Sequence, residues 1–134
     1  MPILTINKHS NLELSDHFNS NEFDCRCREC TKTLIDQELI DKLEKLRLYI
    51  RHPIIITNGF RCIGHNEYLI KQGYKASRKS QHLLGKAADL VLAQGRTVDK
   101  FAELAEKAGF TGIGKYNWGI HVDTRVISGR WDYR

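Results

Sequence analysis

The sequence predicts one α+β domain, residues 1–134, in which helices flank a small antiparallel sheet. Its 134 residues suffice for a domain with its own core, and no repeat or linker divides them. Helix-like and strand-like segments follow one another without strict alternation, which is typical of α+β folds rather than of parallel α/β folds. Two late strand-like runs, Gly112 to Tyr116 and Gly119 to Arg125, are separated by Asn117-Trp118 and indicate an antiparallel hairpin.

Two amphipathic segments predict the main helices. From Asp36 to about Arg51, apolar residues recur at helical spacing, Asp36 is a suitable N-cap, and Ile35 and Ile40 would form a hydrophobic staple. From Thr97 to Ala108 a second segment has Thr97 as its cap and an apolar face towards the core. A shorter helix is expected from Gly64 to about Gln72.

The remaining segments predict short strands and an irregular arm. Residues 54–57 form a buried apolar run closed by the turn-prone pair Asn58-Gly59. Gly85 lies between two short pieces expected to be extended, the second being Ala87 to Leu92. Residues 1–33 show little periodicity apart from a turn of helix near residues 20–23, and they contain three of the four cysteines.

The charge favours an anionic partner. The chain carries 21 Lys and Arg against 16 Asp and Glu, a net charge of +5, which suits a nucleic acid, a membrane surface or an acidic cell wall. The basic residues are scattered, and no strip of alternating aromatic and basic side chains is present, so we do not expect nucleic-acid binding. No apolar run is long enough to cross a bilayer, and residues 1–15 lack a signal-peptide pattern. We therefore expect a monomer that is made in the cytoplasm and does not bind membranes.

Three polar residues in apolar surroundings suggest a metal site. His82, Asp89 and His121 have the side chains of a catalytic zinc site, which uses three protein ligands and leaves one position open. His82 and Asp89 are seven residues apart and would lie on opposite faces of one straight strand, but Gly85 allows the chain to turn between them. The alternative is that both histidines are ordinary surface or core residues and Asp89 a turn residue.

The motif Ser80-x-His82-x-x-Gly85-x-Ala87-x-Asp89, followed by His121-Val122-Asp123, resembles a known enzyme family. This family comprises the zinc D-Ala-D-Ala carboxypeptidases and L-alanyl-D-glutamate endopeptidases. It includes bacteriophage endolysins and shares its fold with the hedgehog signalling domain. The segment from Thr57 to Asn66, with Arg61 in TNGFR, is similar to the S-G-Y-R segment of that family.

The resemblance implies roles for individual residues. It makes His82, Asp89 and His121 the ligands of a catalytic Zn²⁺, and it makes Arg61 the cation that binds and polarises the carbonyl or carboxylate of the substrate. A planar guanidinium suits that task, although an arginine in this place can also be a surface charge or a structural ion pair. Ser80 is expected to contact the substrate.

The sequence departs from the family at the general base. Several members have an acidic residue three positions before the last histidine ligand, where this chain has Trp118. Asp123 shares a strand face with His121 and is the replacement we consider, the alternative being a residue that orients His121 or Arg61. Trp118 is expected to form a wall of the substrate groove or to be a buried core residue.

The cysteines leave three interpretations open. Cys25, Cys27, Cys30 and Cys62 have the number and softness of ligands that suit a second, structural zinc ion. Disulfides are one alternative, although synthesis in a reducing compartment disfavours them. Four free buried thiols are the other alternative.

The residues predict a zinc-dependent hydrolase. The family resemblance implies that it cleaves peptidoglycan stem peptides at the bacterial cell wall, after release or delivery, as a phage-type lysin does. A D-Ala-D-Ala carboxypeptidase is the enzymatic alternative. A non-catalytic zinc-binding or virion-structural module, or a nucleic-acid-binding module with an all-cysteine zinc site, are the alternatives without catalysis.

Overall fold

The computed structural model describes residues 2–93 and 95–134. Within these residues the helices are α1 (Gln37–Ile50), α2 (Ile63–Lys71) and α3 (Val98–Lys107), with two 3₁₀ helices at Ser20–Phe23 and Gln81–Leu84. The strands are β1 (Ile3–Asn7), β2 (Lys32–Asp36), β3 (Ile56–Asn58), β4 (Ala87–Val91), β5 (Gly112–Lys115), β6 (Gly119–Asp123) and β7 (Gly129–Asp132). The α+β class is confirmed.

The main sheet has five strands in the order β3-β4-β6-β5-β7. The pairs β3–β4, β4–β6 and β5–β6 are antiparallel, as predicted, and the hairpin of β5 and β6 is confirmed. The fourth pair, β5–β7, is parallel and is the exception in this otherwise antiparallel sheet. The missed strand β7 lies at the sheet edge and is only half-buried, and such strands leave a weak pattern in the sequence.

The N-terminal arm is more regular than the sequence indicates. β1 pairs antiparallel with β2 over the full length of both strands, from Ile3 opposite Asp36 to Asn7 opposite Lys32. This pairing joins segments distant in the sequence, which local periodicity does not reveal. The turn of helix near residues 20–23 is confirmed as a 3₁₀ helix, capped by Asn19.

The two long helices pack as their patterns predict. Asp36 caps α1 by accepting a hydrogen bond from the backbone N–H of Glu38, and Thr97 caps α3 by accepting one from Lys100. α3 packs against β5 and β6, and α1 packs against α3. The core comprises buried residues of both helices and of the sheet, among them Leu39, Leu43, Leu46, Ile50, Phe101, Ala105, Leu90, Ile113, Ile120 and Val122.

The turn at Gly85 differs from its prediction on one side. The piece before it is a 3₁₀ helix rather than an extended segment, whereas β4 follows it as expected. Gly85 has a φ of +73°, and a Cβ added there would lie 2.4 Å from the carbonyl oxygen of Leu34. Both the backbone conformation and the close approach require glycine at this position. No helix in the described ranges has the length and apolarity needed to cross a membrane.

Candidate metal centre and cleft

Three structural elements bring the predicted ligands together. His82 lies on the 3₁₀ helix before Gly85, Asp89 on β4, and His121 on the central strand β6, where it is the direct partner of Asp89. All three side chains are buried. Each offers one ligand atom, and these atoms all lie within 4.8 Å of one another.

Hydrogen bonds fix the orientation of both imidazole rings. His82 Nδ1 lies 2.7 Å from the carbonyl oxygen of Gly59, and because a carbonyl can only accept, Nδ1 carries a proton. His82 Nε2 then has a free lone pair and lies 3.3 Å from Asp89 Oδ1. His121 Nε2 lies 2.7 Å from Asp123 Oδ2, which leaves Nδ1 towards Asp89 Oδ1 at 3.0 Å.

This arrangement directs three electron-donating atoms at one point. Two imidazole lone pairs and a carboxylate oxygen repel one another unless a proton or a cation lies between them. Burial alone would lower the pKa of His121, but hydrogen bonds and charge from Asp123 and Asp89 raise it, so these carboxylates favour positive charge at this point. Burial raises the pKa of Asp89, but its contacts with His121 and His82 lower it well below its usual range.

The donor set fits zinc. Two imidazole nitrogens and one carboxylate oxygen are the ligands of many catalytic zinc sites, which keep a further position open. Asn58 Nδ2 donates to Asp89 Oδ2 at 3.3 Å and so leaves Oδ1 directed at the histidines. Each ligand therefore has a partner of its own that orients it, as metal ligands commonly do.

Asp123 lies behind His121. Its carboxylate is completely buried and accepts hydrogen bonds from the Arg125 guanidinium, with Nη2 at 2.6 Å from Oδ2 and Nε at 2.8 Å from Oδ1. Burial opposes ionisation, but these bonds and the bond to His121 lower the pKa of Asp123. Asp123 is not among the residues that line the adjacent cleft.

A cleft of about 530 Å³ opens over the three candidate metal ligands. Arg61 lines it and donates from Nη1 to Asn66 Oδ1 at 3.0 Å, and the buried Asn66 in turn donates to the Ser77 carbonyl at 2.9 Å. The Arg61 backbone N–H donates to the His82 carbonyl at 3.1 Å, which connects the arginine to a metal ligand. Burial lowers the pKa of Arg61, partly offset by the charge of Asp89.

The two predicted substrate-contacting residues differ in position. Ser80 lines the cleft, and its hydroxyl caps the 3₁₀ helix by accepting a hydrogen bond from His82 N at 3.2 Å. Trp118 is 45% exposed, so the alternative of a buried core tryptophan is wrong. It lies outside the lining residues and stacks at 4.8 Å on Tyr116, which does line the cleft.

Several cleft residues were not identified from the sequence. They include three aromatic residues and two cations: Tyr116, Trp131, Tyr133, Lys75 and Arg125. Trp131 belongs to the unpredicted strand β7 and contacts the His121 ring at a centroid distance of 5.0 Å. Without β7, no pattern in the sequence places it beside the site.

Comparison with known proteins identifies the family. The family model described as Peptidase M15 matches residues 16–123. The crystal structure of Serratia marcescens L-Ala D-Glu endopeptidase ChiX superposes with a TM-score of 0.53 at 18% identity, covering 66% of this chain and 79% of that one. No curated protein matches the sequence. The family match spans the segments that carry Arg61, His82, Asp89 and His121, and the chain belongs to the peptidase M15 family.

Proposed function

We propose that this protein is a zinc-dependent peptidase that hydrolyses a peptide bond in the stem peptides of peptidoglycan. The observation that carries the proposal is the convergence of His82 Nε2, Asp89 Oδ1 and His121 Nδ1 on one point under a cleft lined by Arg61. Membership of a peptidase family supports hydrolysis. The resemblance to a structure titled L-Ala D-Glu endopeptidase supports the choice of substrate.

His82, Asp89 and His121 would hold the zinc ion. Zinc bound there supplies Lewis-acid chemistry, namely activation of water and polarisation of the scissile carbonyl. An imidazole nitrogen binds a metal ion only when it is unprotonated, so zinc binding at this site is expected to weaken as the pH falls.

Arg61 binds the substrate oxygen on which negative charge develops. Its side chain lines the cleft, and the hydrogen bond to the buried Asn66 holds one Nη in place and leaves other N–H groups available for the substrate. Tyr116 accepts a hydrogen bond from Trp131 Nε1 at 3.1 Å, so its own hydroxyl proton remains available to donate into the cleft. Burial raises the pKa of Tyr116, which keeps it protonated as a donor.

The positive lining of the cleft suits an anionic peptide. Lys75, Lys79 and Arg125 lie around the cleft together with Arg61. Stem peptides carry free carboxylates, which these cations attract. We infer an endopeptidase of the phage-lysin type that reaches the wall after release or delivery.

Asp123 positions His121 and does not act as the general base. The base would have to reach a water above the metal ligands, whereas the Asp123 carboxylate is completely buried and satisfied by His121 and Arg125. Through the His121 ring, Asp123 directs Nδ1 towards the other two ligand atoms.

A second candidate, a non-catalytic zinc-binding module, is favoured by one observation. Among the lining residues that the structure describes, Asp89 is the only carboxylate, and it is needed as a ligand. Such a module would bind zinc at His82, Asp89 and His121 but would not cleave peptides.

The deciding experiment is mass spectrometry of purified peptidoglycan after incubation with the zinc-loaded protein. New stem-peptide termini that disappear with His82→Ala are expected, and the masses identify the bond. New terminal carboxyl groups inside the stem indicate an endopeptidase, and release of D-alanine alone indicates a carboxypeptidase. Absence of new termini from several wall types, with zinc confirmed in the protein, would favour the non-catalytic module.

A further inference from the structure

A second cluster of metal-ligating side chains lies outside the cleft. Cys25, Cys27 and Cys30 follow the first 3₁₀ helix, and Cys62 is the N-cap of α2. The four sulfur atoms all lie within 4.8 Å of one another, although Cys62 is 32 positions beyond Cys30 in the sequence. Folding of the arm against the segment after β3 thus assembles four soft ligands at one place.

The sulfur separations match those around one zinc ion. Four thiolates at about 2.3 Å from a central zinc in tetrahedral arrangement lie about 3.8 Å from one another. Cys27 Sγ lies 3.3 Å from Cys30 Sγ and 3.6 Å from Cys62 Sγ. A disulfide, by contrast, joins two sulfurs at about 2.05 Å, which is well below these separations.

Backbone amides point at the sulfurs. The N–H of Cys30 donates to Cys27 Sγ at 3.4 Å, and the N–H of Cys62 donates to Cys25 Sγ at 3.4 Å. The N–H of His65 in the first turn of α2 donates to Cys62 Sγ at 3.3 Å. Amide donors and a helix N-terminus stabilise the thiolate, which is the form that binds metal.

A lysine supplies compensating charge. Four thiolates around Zn²⁺ carry a net charge of −2, which needs a nearby cation when partly buried. Lys8 Nζ lies 3.7 Å from Cys30 Sγ and 3.9 Å from Cys27 Sγ, and it donates to the Cys27 carbonyl at 2.6 Å. Lys8 follows β1 directly, so the pairing of β1 with β2 places this positive charge beside the sulfurs.

We propose that Cys25, Cys27, Cys30 and Cys62 bind a structural zinc ion that joins the N-terminal arm to the segment carrying Arg61. Cys62 follows Arg61 directly, and the neighbouring Phe60 N–H donates to the Phe23 carbonyl at 2.8 Å. A Cβ added to Gly59 would lie 2.6 Å from the Phe23 Cα, so the arm and this segment are in close contact. The zinc ion would thereby link the backbone of the arm to the backbone of the segment that carries Arg61.

The proposal is tested by counting metal in a variant that lacks the cleft site. The protein with both His82→Ala and His121→Ala, purified under reducing conditions with zinc, is expected to retain one zinc per chain. Replacement by Co²⁺ is expected to give the near-ultraviolet sulfur-to-cobalt charge-transfer band and the intense visible bands of a tetrahedral thiolate site. Adding Cys27→Ser and Cys30→Ser should remove both signals.

Three results would overturn the proposal. The first is a protein with His82→Ala and His121→Ala that is folded by circular dichroism but holds no metal. The second is a cobalt spectrum without the charge-transfer band, and the third is an intact mass showing that a disulfide forms even under reducing conditions. If the cysteine variants do not fold, the cobalt spectrum of the histidine variant still decides. Because that variant lacks the cleft site, the result is independent of whether the protein is a peptidase.

Discussion

Asp123 Oδ2 lies 2.7 Å from His121 Nε2, the ring nitrogen that does not face Asp89. The carboxylate therefore holds the imidazole in the tautomer whose Nδ1 lone pair points at the other two ligand atoms. Arg125 holds the carboxylate in turn. The strand β6 thus supplies both a candidate metal ligand and the residue that orients it, two positions apart.

Asp123→Asn is expected to weaken zinc binding at the cleft site by about 10-fold to 100-fold, the usual effect of losing a carboxylate that orients a ligand histidine. The measurement is chelator competition for the cleft-site zinc ion, which is identified as the ion that the His82→Ala variant no longer binds. Asp132→Asn is the matched control, because Asp132 accepts a similar two-atom bond from Arg134 but is exposed and does not line the cleft. Unchanged zinc affinity together with lost hydrolysis would instead make Asp123 the general base.

Arg61→Lys is expected to lower kcat/KM by about 100-fold to 1,000-fold, the range for loss of a donor to the developing oxyanion. A lysine keeps the charge but lacks the planar fork that contacts Asn66 and substrate together. Zinc content should not change. The control is Arg78→Lys, which replaces an exposed arginine paired with Glu67 and should keep full activity. Equal activity of both variants would remove Arg61 from the substrate site.

Gly85→Ala is expected to reduce the free energy of unfolding by about 2 kcal/mol or more, because a left-handed residue with a Cβ is strained and the methyl group would meet the Leu34 carbonyl. Urea denaturation measures the change. Gly64→Ala, in α2 with nothing within 4 Å of the added Cβ, should be neutral or stabilising. A similar small effect of both substitutions would contradict the described turn.

Glu44 links the arm to α1, accepting hydrogen bonds from Ser15 Oγ and from the backbone and ring of His17. Burial raises the pKa of Glu44, but these bonds lower it below its ordinary value of 4.5 overall. A lowered folded-state pKa stabilises the protein above the ordinary value, and this stabilisation is lost as the pH falls through the folded-state pKa.

Glu44→Gln should therefore cost at most about 1 kcal/mol near neutral pH, since the side chain is only partly buried, and progressively less in acid. Denaturant titrations of both proteins over a series of pH values test this. Glu67→Gln, which removes an exposed partner of Arg78, serves for comparison. A difference that still grows as the pH falls below 4.5, the ordinary pKa of Glu44, would have the wrong sign for the proposed bonds.

The sequence was sufficient where a signal is local. Regular apolar spacing with a capping residue located α1 and α3 within one or two residues, because such helices bury one continuous face. The glycine between His82 and Asp89 correctly indicated a turn, and the three predicted ligands come together.

The rest depends on contacts between distant segments. β1 pairs with β2 across the long arm segment between them, and β7 pairs with β5 rather than with the preceding strand β6, so periodicity within each strand does not reveal them. Asp123 shares a strand face with His121, as predicted, but only the structure shows Arg125 covering it from behind. The sequence predicted the four cysteines as one possible metal site, whereas only the folded arm brings backbone amides and Lys8 next to their sulfur atoms.

The backbone from Gly59 to Cys62 contacts both ligand clusters: Gly59 accepts a bond from His82, and Cys62 donates one to Cys25 Sγ. If both clusters hold zinc, removing either ion loosens the support of the same short segment. Inactivation by EDTA would then not distinguish loss of the catalytic ion from collapse of the Arg61 backbone. Stepwise addition of Co²⁺ to the metal-free protein, with the absorption spectrum showing which cluster fills first, would separate these two causes of inactivation.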